Sequence, residues 1–286
     1  VHLLIFGLGF CGTAVARAAA ASGFHVTGTT RSPASAVPIP GTRIVGFDDA
    51  GQHIPHATHL LATAPPGQAG DPVLARYAEA IGSAPNLRWI GYLSTTGVYG
   101  DRQGGWVDEE TQPAPSSDRA RRRLAAEQAW RGMAGPRPLD IFRLGGIYGP
   151  GRSQLDDLKA GHAHRILQPG HMFGRIHVGD IAGGVMAAMA RPPQGARVLN
   201  FVDDEPAESA VVVAEAAHLL GVPAPPARPL NQAWPGMSEM ARSFWAENRK
   251  VASRKTQEWL SYRWQYPSYR EGLRAILQQE GGDDSA

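Results

Sequence analysis

The groups in this chain best suited to chemistry are three glycines, a hydroxyl cluster and two arginines four residues apart. Gly7, Gly9 and Gly12 stand in G-x-G-x-x-G spacing directly after an apolar run at residues 3–6, and an alanine-rich run follows them. A buried strand before such glycines and a helix after them form the cradle for a dinucleotide pyrophosphate. Gly7 permits the tight turn, Gly9 lets the backbone approach the phosphates, and Gly12 lets helix and strand pack closely. Phe10 and Cys11 belong to the same turn, and the phosphates rest on the unpaired N–H groups of the helix that it opens. Cys11, inside the turn, reads as a small packing residue.

The end of the second strand selects the dinucleotide. An NAD site usually has an acid roughly 20 residues past the glycines to hold the ribose 2′-hydroxyl. This chain has Thr30, Arg31 and Ser32 there, with no carboxylate nearby. A guanidinium and a hydroxyl suit a 2′-phosphate, so NADP is expected and NAD is less favoured. Ala62, Thr63 and Ala64 close the fourth strand, and such small residues let a cofactor lie across the crevice of a doubly wound sheet.

These residues need elements to hold them. Strands are expected at residues 3–6, 24–30, 42–47, 59–63, 87–93 and 139–144. Helices are expected at 13–21, 71–83, where Asp71 caps and Pro72 starts the first turn, and 118–131. Strand and helix alternate throughout, which predicts an α/β Rossmann-type doubly wound parallel sheet of order 3-2-1-4-5-6. Residues 1–150 read as the NADP-binding core. Residues 151–286 read as a smaller substrate-side lobe interleaved with it, containing a helix to about residue 190, a strand at 197–202, a helix at 210–220 and a tryptophan-rich polar segment at 234–277.

Bulk composition narrows the function classes. Of 286 residues, 43% are hydrophobic and 19% charged, so a sizeable core is available. The formal net charge of +2 is too small to argue for nucleic acid or a membrane surface. One cysteine excludes an intramolecular disulfide and fits a reducing compartment. No apolar run reaches the roughly 18 residues of a membrane span, and the first strand begins at once. A cytoplasmic monomer or homodimer acting on a small molecule is expected. His53, His56 and His59 cluster in sequence, but Pro55 interrupts them and no cysteine or carboxylate completes a tetrahedral set, so no metal is expected.

Five motifs in order, GLGFCG at Gly7, STTGVYG at Ser94, RRRLAAEQA at Arg121, IFRLGGIYGPGR at Ile141 and RIHVGDIA at Arg175, resemble the extended short-chain dehydrogenase/reductases, which include nucleotide-sugar epimerases and dehydratases. The resemblance covers nearly the whole chain, down to YREGLRAIL at Tyr269. It implies a Ser or Thr after strand five that orients the substrate oxygen, a role that falls on Thr95 with Thr96 second. It also implies a Tyr that moves the proton and a Lys four residues later that holds the nicotinamide ribose. Those two positions carry Arg119 and Arg123, still on one helix face. Arg123 keeps a positive charge for the ribose, but Arg119 cannot replace a phenol, because a guanidinium does not give up its proton at working pH. Two cations there favour an anionic substrate. Proton transfer then falls to Thr95 through water or to Tyr148, with Tyr99 a further phenol; either phenol would need a lowered pKa. The resemblance thus implies an NAD(P)-dependent oxidoreductase or epimerase-like enzyme with altered proton chemistry. An NADP-binding sensor without turnover, resembling the family's atypical members, is the alternative. Arg152, His162, His164 and Arg175 are further candidate anion contacts, and Asp48 or Asp49 a candidate for an adenine edge.

Overall fold

The computed structural model describes residues 1–283. Seven strands form one parallel sheet: β1 (His2–Phe6), β2 (His25–Thr30), β3 (Thr42–Gly46), β4 (His59–Ala62), β5 (Trp89–Thr95), β6 (Leu139–Leu144) and β7 (Ala196–Phe201). Their order is 3-2-1-4-5-6-7, every neighbouring pair parallel. The expected order is therefore present, with β7 added at the edge beside β6.

Burial on both faces explains the continuous apolar strands. Leu3 and Ile5 of β1 join one core cluster, while Leu4 and Phe6 join another on the opposite face. On the first face lie α1 (Phe10–Ala21) and α5 (Val178–Ala190), meeting through Val15, Ala16, Val185 and Ala188. On the second lie α2 (Pro72–Gly82) and α3 (Asp118–Ala134), meeting through Tyr77 and Trp130. Small side chains on α1 and α5 are what let two helices sit close on one sheet face. Asp71 caps α2 by accepting from the Val73 and Leu74 amides at 2.9 and 3.0 Å. Its other oxygen accepts from the Trp130 indole at 3.0 Å, so one carboxylate bolts α2 to α3.

Beyond β6 the chain builds α4 (Gln154–Lys159), returns through α5 and β7 to the sheet, and continues as α6 (Ser209–Leu220). Then come α7 (Glu239–Trp245), α8 (Arg254–Leu260) and α9 (Tyr269–Asp283). Short parallel pairs tie distant loops together: Ile166–Leu167 with Arg228–Pro229, and Trp106–Val107 with Lys250–Val251. The second pair carries the segment around residues 245–251 back to the carboxyl end of the sheet.

Candidate active site

The glycine turn is fixed by atoms that leave no room for side chains. Gly7 has φ +109°, and a Cβ there would also lie 2.6 Å from Thr63 Oγ1. That hydroxyl donates to the carbonyls of Phe6 and Gly7 at 3.1 and 2.6 Å, tying the end of β4 to the turn. A Cβ on Gly12 would strike the Gly7 carbonyl oxygen. Gly9 differs: nothing lies within 4 Å of where its Cβ would stand. It is also the N-cap of α1, with no side chain to satisfy the first amides. Free N–H groups facing open space fit a pyrophosphate. Phe10 begins α1, three residues earlier than its sequence pattern suggests, because the last glycine is part of the helix. The Cys11 thiol is buried, and burial pushes it up to about 11, so it packs rather than reacts.

At the end of β2 the Ser32 amide donates to Thr30 Oγ1 at 3.4 Å, and Arg31 and Ser32 are exposed. Arg31 has no hydrogen bond or ion pair among the described residues. Asp48 lies at the surface 4.0 Å from Arg76, and Asp49 sits against Gly46. His53, His56 and His59 do not converge with other ligand-type side chains; no group of three forms among the described residues.

A cleft of about 460 Å³ opens at the carboxyl ends of β5 and β6. One wall carries Thr95, Ser117 and Arg119; the other carries Phe244, Trp245, Glu247 and Arg249. Thr95 ends β5, and its Oγ1 accepts from the Gly97 amide at 3.1 Å. Its own proton has no acceptor among the described residues, which leaves it for a ligand in the cleft. Ser117 caps α3 by accepting from the Ala120 amide at 3.2 Å, and this cap sets Arg119 in the first turn. Arg119 is exposed and has no partner among the described residues.

Arg119, Arg123 and Glu127 descend one face of α3 at four-residue spacing, yet their surroundings differ sharply. Arg123 is outside the cleft lining; its Nη1 donates to the Leu93 carbonyl at 2.9 Å and the Tyr92 hydroxyl at 3.1 Å. Glu127 is buried and receives Arg143 Nε and Nη2 at 3.1 and 2.7 Å, with Ser94 Oγ at 2.5 Å. This bidentate pair holds α3 against β5 and β6.

The phenols expected to move protons are not in the cleft. Tyr148 is 8% exposed, its hydroxyl donates to the Ser268 carbonyl at 3.4 Å, and burial raises its pKa rather than lowering it. Tyr99 is fully buried; its hydroxyl donates to Asn200 Oδ1 at 2.8 Å beneath the Arg143 guanidinium. Burial also raises Tyr99. Neither phenol reaches the cleft: Tyr148 lines the adjoining cavity and Tyr99 is packed beneath the sheet's carboxyl end. Of the further anion candidates, Arg175 lines the cleft, Arg152 a neighbouring cavity, while His162 and His164 line neither.

The opposite wall was not singled out from sequence. Arg249 Nη1 donates to Glu247 Oε2 at 2.6 Å and to the Gly100 carbonyl at 3.0 Å, and Ser116 Oγ donates to Glu247 Oε1. The charge of Arg249 is thus balanced, while that of Arg119 is not. Asn248 ties both flanks. Its carbonyl accepts from the Arg102 and Gly104 amides at 3.0 Å each. Its side chain accepts from the Met172 amide at 3.1 Å and donates to the Gly170 carbonyl at 2.9 Å. A lone sequence signal for this wall is Trp245, whose ring lies tilted against His171 at 5.2 Å and edge-on to Phe173 at 5.0 Å.

No family model matches the chain. Protein YeeZ of Escherichia coli (strain K12) is 27% identical over 238 residues, covering 77% of this chain and 84% of that protein. A solved structure of a functionally unknown conserved protein from Silicibacter pomeroyi DSS is 43% identical, with a TM-score of 0.90 over 98% of this chain and 99% of that one. MoeE5 in complex with UDP-glucuronic acid and NAD is 19% identical, with a TM-score of 0.79 over 99% of this chain and 100% of that one. Human epimerase family protein SDR39U1 with NADPH is 20% identical, with a TM-score of 0.77 over 97% of this chain and 99% of that one.

Proposed function

Because the chain belongs to one family with the conserved Silicibacter pomeroyi protein and has the fold of the extended short-chain dehydrogenase/reductases, we propose that it is an NADP(H)-dependent oxidoreductase or epimerase-like enzyme acting on an anionic small metabolite. The observation that carries this reading is Gly9, whose open flank faces the uncapped start of α1 while its neighbours Gly7 and Gly12 are closed by packing. The nucleotides named for MoeE5 and SDR39U1 support a dinucleotide here too.

Gly7, Gly9, Phe10, Cys11 and Gly12 would hold the pyrophosphate, and Thr30, Arg31 and Ser32 the 2′-phosphate. Ala62, Thr63 and Ala64 would border the crevice, and Arg123 would reach the ribose with the guanidinium donors that Leu93 and Tyr92 leave free. When bound, such a group supplies hydride transfer. Thr95 donates its hydroxyl proton to the substrate oxygen, because its lone pair is already turned to the Gly97 amide. Arg119 holds the substrate's anionic group by a charge-assisted bond. Proton movement runs from the Thr95 hydroxyl through water, since among the described residues no Tyr, His, Lys or Cys lines the cleft and its one carboxylate, Glu247, is engaged by Arg249 and Ser116. The same absence favours the alternative, an NADP-responsive protein without turnover.

Titration of NADPH and NADH, followed by NADPH oxidation across a panel of carboxylate- and phosphate-bearing carbonyl compounds, tests the reading. The expected outcome is tighter NADPH binding and turnover of an anionic member, lowered at least about tenfold in Arg119→Ala. Binding of neither nucleotide would sink it; binding without turnover would select the sensor.

A further inference from the structure

A second cavity, of about 290 Å³, lies behind the cleft, between the loop after β6, α4, α6 and the start of α9. The two share Gly146, Gln154 and Arg175 in their linings, so they adjoin through those residues. The function proposed above makes no use of this space.

Its lining is unusual in three respects. The Arg152 side chain faces it with no hydrogen bond or ion pair among the described residues; the Phe10 ring lies 5.6 Å from the guanidinium. The backbone holds that side chain in place, since Gly149 and Arg152 exchange two hydrogen bonds at 3.1 and 3.0 Å around a tight turn. Arg175 Nη1 donates to the Phe173 and Ala207 carbonyls, both at 3.0 Å, and no ion pair neutralises it among the described residues. Tyr269 lines the cavity and is only 1% exposed, yet its hydroxyl has no hydrogen-bond partner among the described residues. A buried phenol hydroxyl left unbonded is costly, and a ligand that accepts from it recovers that cost.

The acids nearby do not cancel the arginines. Asp157, also in the lining, accepts from Gln154 Nε2 at 3.2 Å and keeps its charge, but it forms no ion pair with Arg152 or Arg175 among the described residues. Asp203, beneath the lining, is 2% exposed, and neither of its side-chain oxygens has a hydrogen-bond partner among the described residues. Burial pushes its carboxyl well above the usual range against the pull of Arg175, whose own pKa burial lowers, and the two form no ion pair among the described residues.

We infer that this cavity is a second anion-binding subsite, in which Arg152, Arg175 and the Tyr269 hydroxyl take a phosphate or carboxylate group. Its junction with the cleft makes the natural occupant the far end of the substrate, a molecule with one anionic group at Arg119 and another here. The inference rests on the proposed function only for that assignment; the subsite itself stands on the cavity. A free small anion acting as an effector is the other source of the same chemistry.

Calorimetric titration with pyrophosphate tests this, in the presence of saturating NADP⁺ so that the glycine turn is filled. Binding is expected in the parent protein and in Arg119→Ala, which removes the cleft's own cation. Arg152→Ala should weaken it by at least about tenfold, and Tyr269→Phe by about threefold or more. Tyr269→Phe should keep or raise the melting temperature, because it removes an unsatisfied buried group. Binding that is unchanged in both variants, or absent from the parent protein, overturns the subsite. Failure of NADP⁺ itself to bind would instead count against the proposed function, and the cavity would then be read from the loss of pyrophosphate affinity in Tyr269→Phe, which lies away from the turn. If the subsite serves the substrate, a turned-over bis-anionic compound will show a raised KM in Arg152→Ala. If it serves an effector, pyrophosphate will alter turnover of a mono-anionic compound without competing with it, which overturns the substrate assignment.

Discussion

The glycine turn and the cleft beside it solve the problem of holding a ligand in opposite ways. The turn is made of absence: three positions without side chains, with polar groups supplied by the backbone and surroundings closed by Thr63 and Thr29. The cleft is made of side chains brought from β5, α3, the loop before Arg175 and the 241–251 segment, several with unpaired donors. A site built on backbone tolerates no change at its closed positions. A site built on side chains can exchange a contact while its frame persists, and Arg119 stands in the cleft where the resemblance implies Tyr.

The largest expected effect lies under the cleft. Glu127→Ala would leave Arg143 buried without its carboxylate, and breaking such a pair costs about 3–5 kcal/mol. Chemical denaturation should show that loss; a change below about 1 kcal/mol would mean the pair does not anchor α3. Next comes the turn itself. Gly12→Ala forces a methyl into the Gly7 carbonyl and should cost about 3 kcal/mol along with NADPH binding. Gly9→Ala meets no atom, so it should keep the melting temperature and lose affinity only. Equal melting losses in the two variants would erase the distinction between closed and open glycines.

A smaller effect is a pH dependence at the start of α5. His177 is buried, its Nδ1 accepts from the Gly179 amide at 3.1 Å, and burial lowers its pKa to about 4. The folded state therefore binds the proton later than the unfolded chain, whose value is 6.5. Its contribution is complete above that unfolded value and is lost as pH falls toward 4, the loss reaching about 2 kcal/mol at pH 5. His177→Asn keeps a cap acceptor and should make the acid limb of the stability curve shallower. An unchanged limb would show that the other buried histidines carry it. The smallest effect is at the rim of the turn: Arg31→Asp should reverse the preference for NADPH over NADH, shifting the ratio of affinities by about tenfold or more with stability unchanged. Equal affinities for both nucleotides in the parent protein would remove the basis for assigning Arg31 to a 2′-phosphate.

The same contrast explains what could be read from the sequence. The turn is local, and its strand, glycines and helix are contiguous, so both its position and its closed packing follow from spacing. Strand six falls on its expected residues because Pro138 and the glycines after Leu144 bracket it. Strand five is displaced by two residues, to Trp89–Thr95, because the sheet extends through the polar Ser94 and Thr95, whose composition suggests a loop. The cleft wall at Glu247 and Arg249 is set by a two-residue strand pair and by hydrogen bonds over more than a hundred positions, for which the chain offers no period. Tyr148 illustrates the converse. Its place after strand six was correct, but whether a phenol faces a ligand or a helix depends on Gly272 of α9, against which its ring packs.

Asn248 has a consequence for how such a molecule diversifies. One residue fastens the 101–104 loop through its main chain and the 170–172 loop through its side-chain amide, so both the length of the chain here and the identity of Asn248 set the two bonds. Insertions or deletions between α7 and β-paired Val251 would unhook both loops at once, whereas exchanges at Ser243, Phe244 or Trp245 leave every one of those bonds in place. Lineages descended from this fold are therefore expected to keep a fixed spacing through this segment while its side chains drift, altering what the cleft accepts without altering its width.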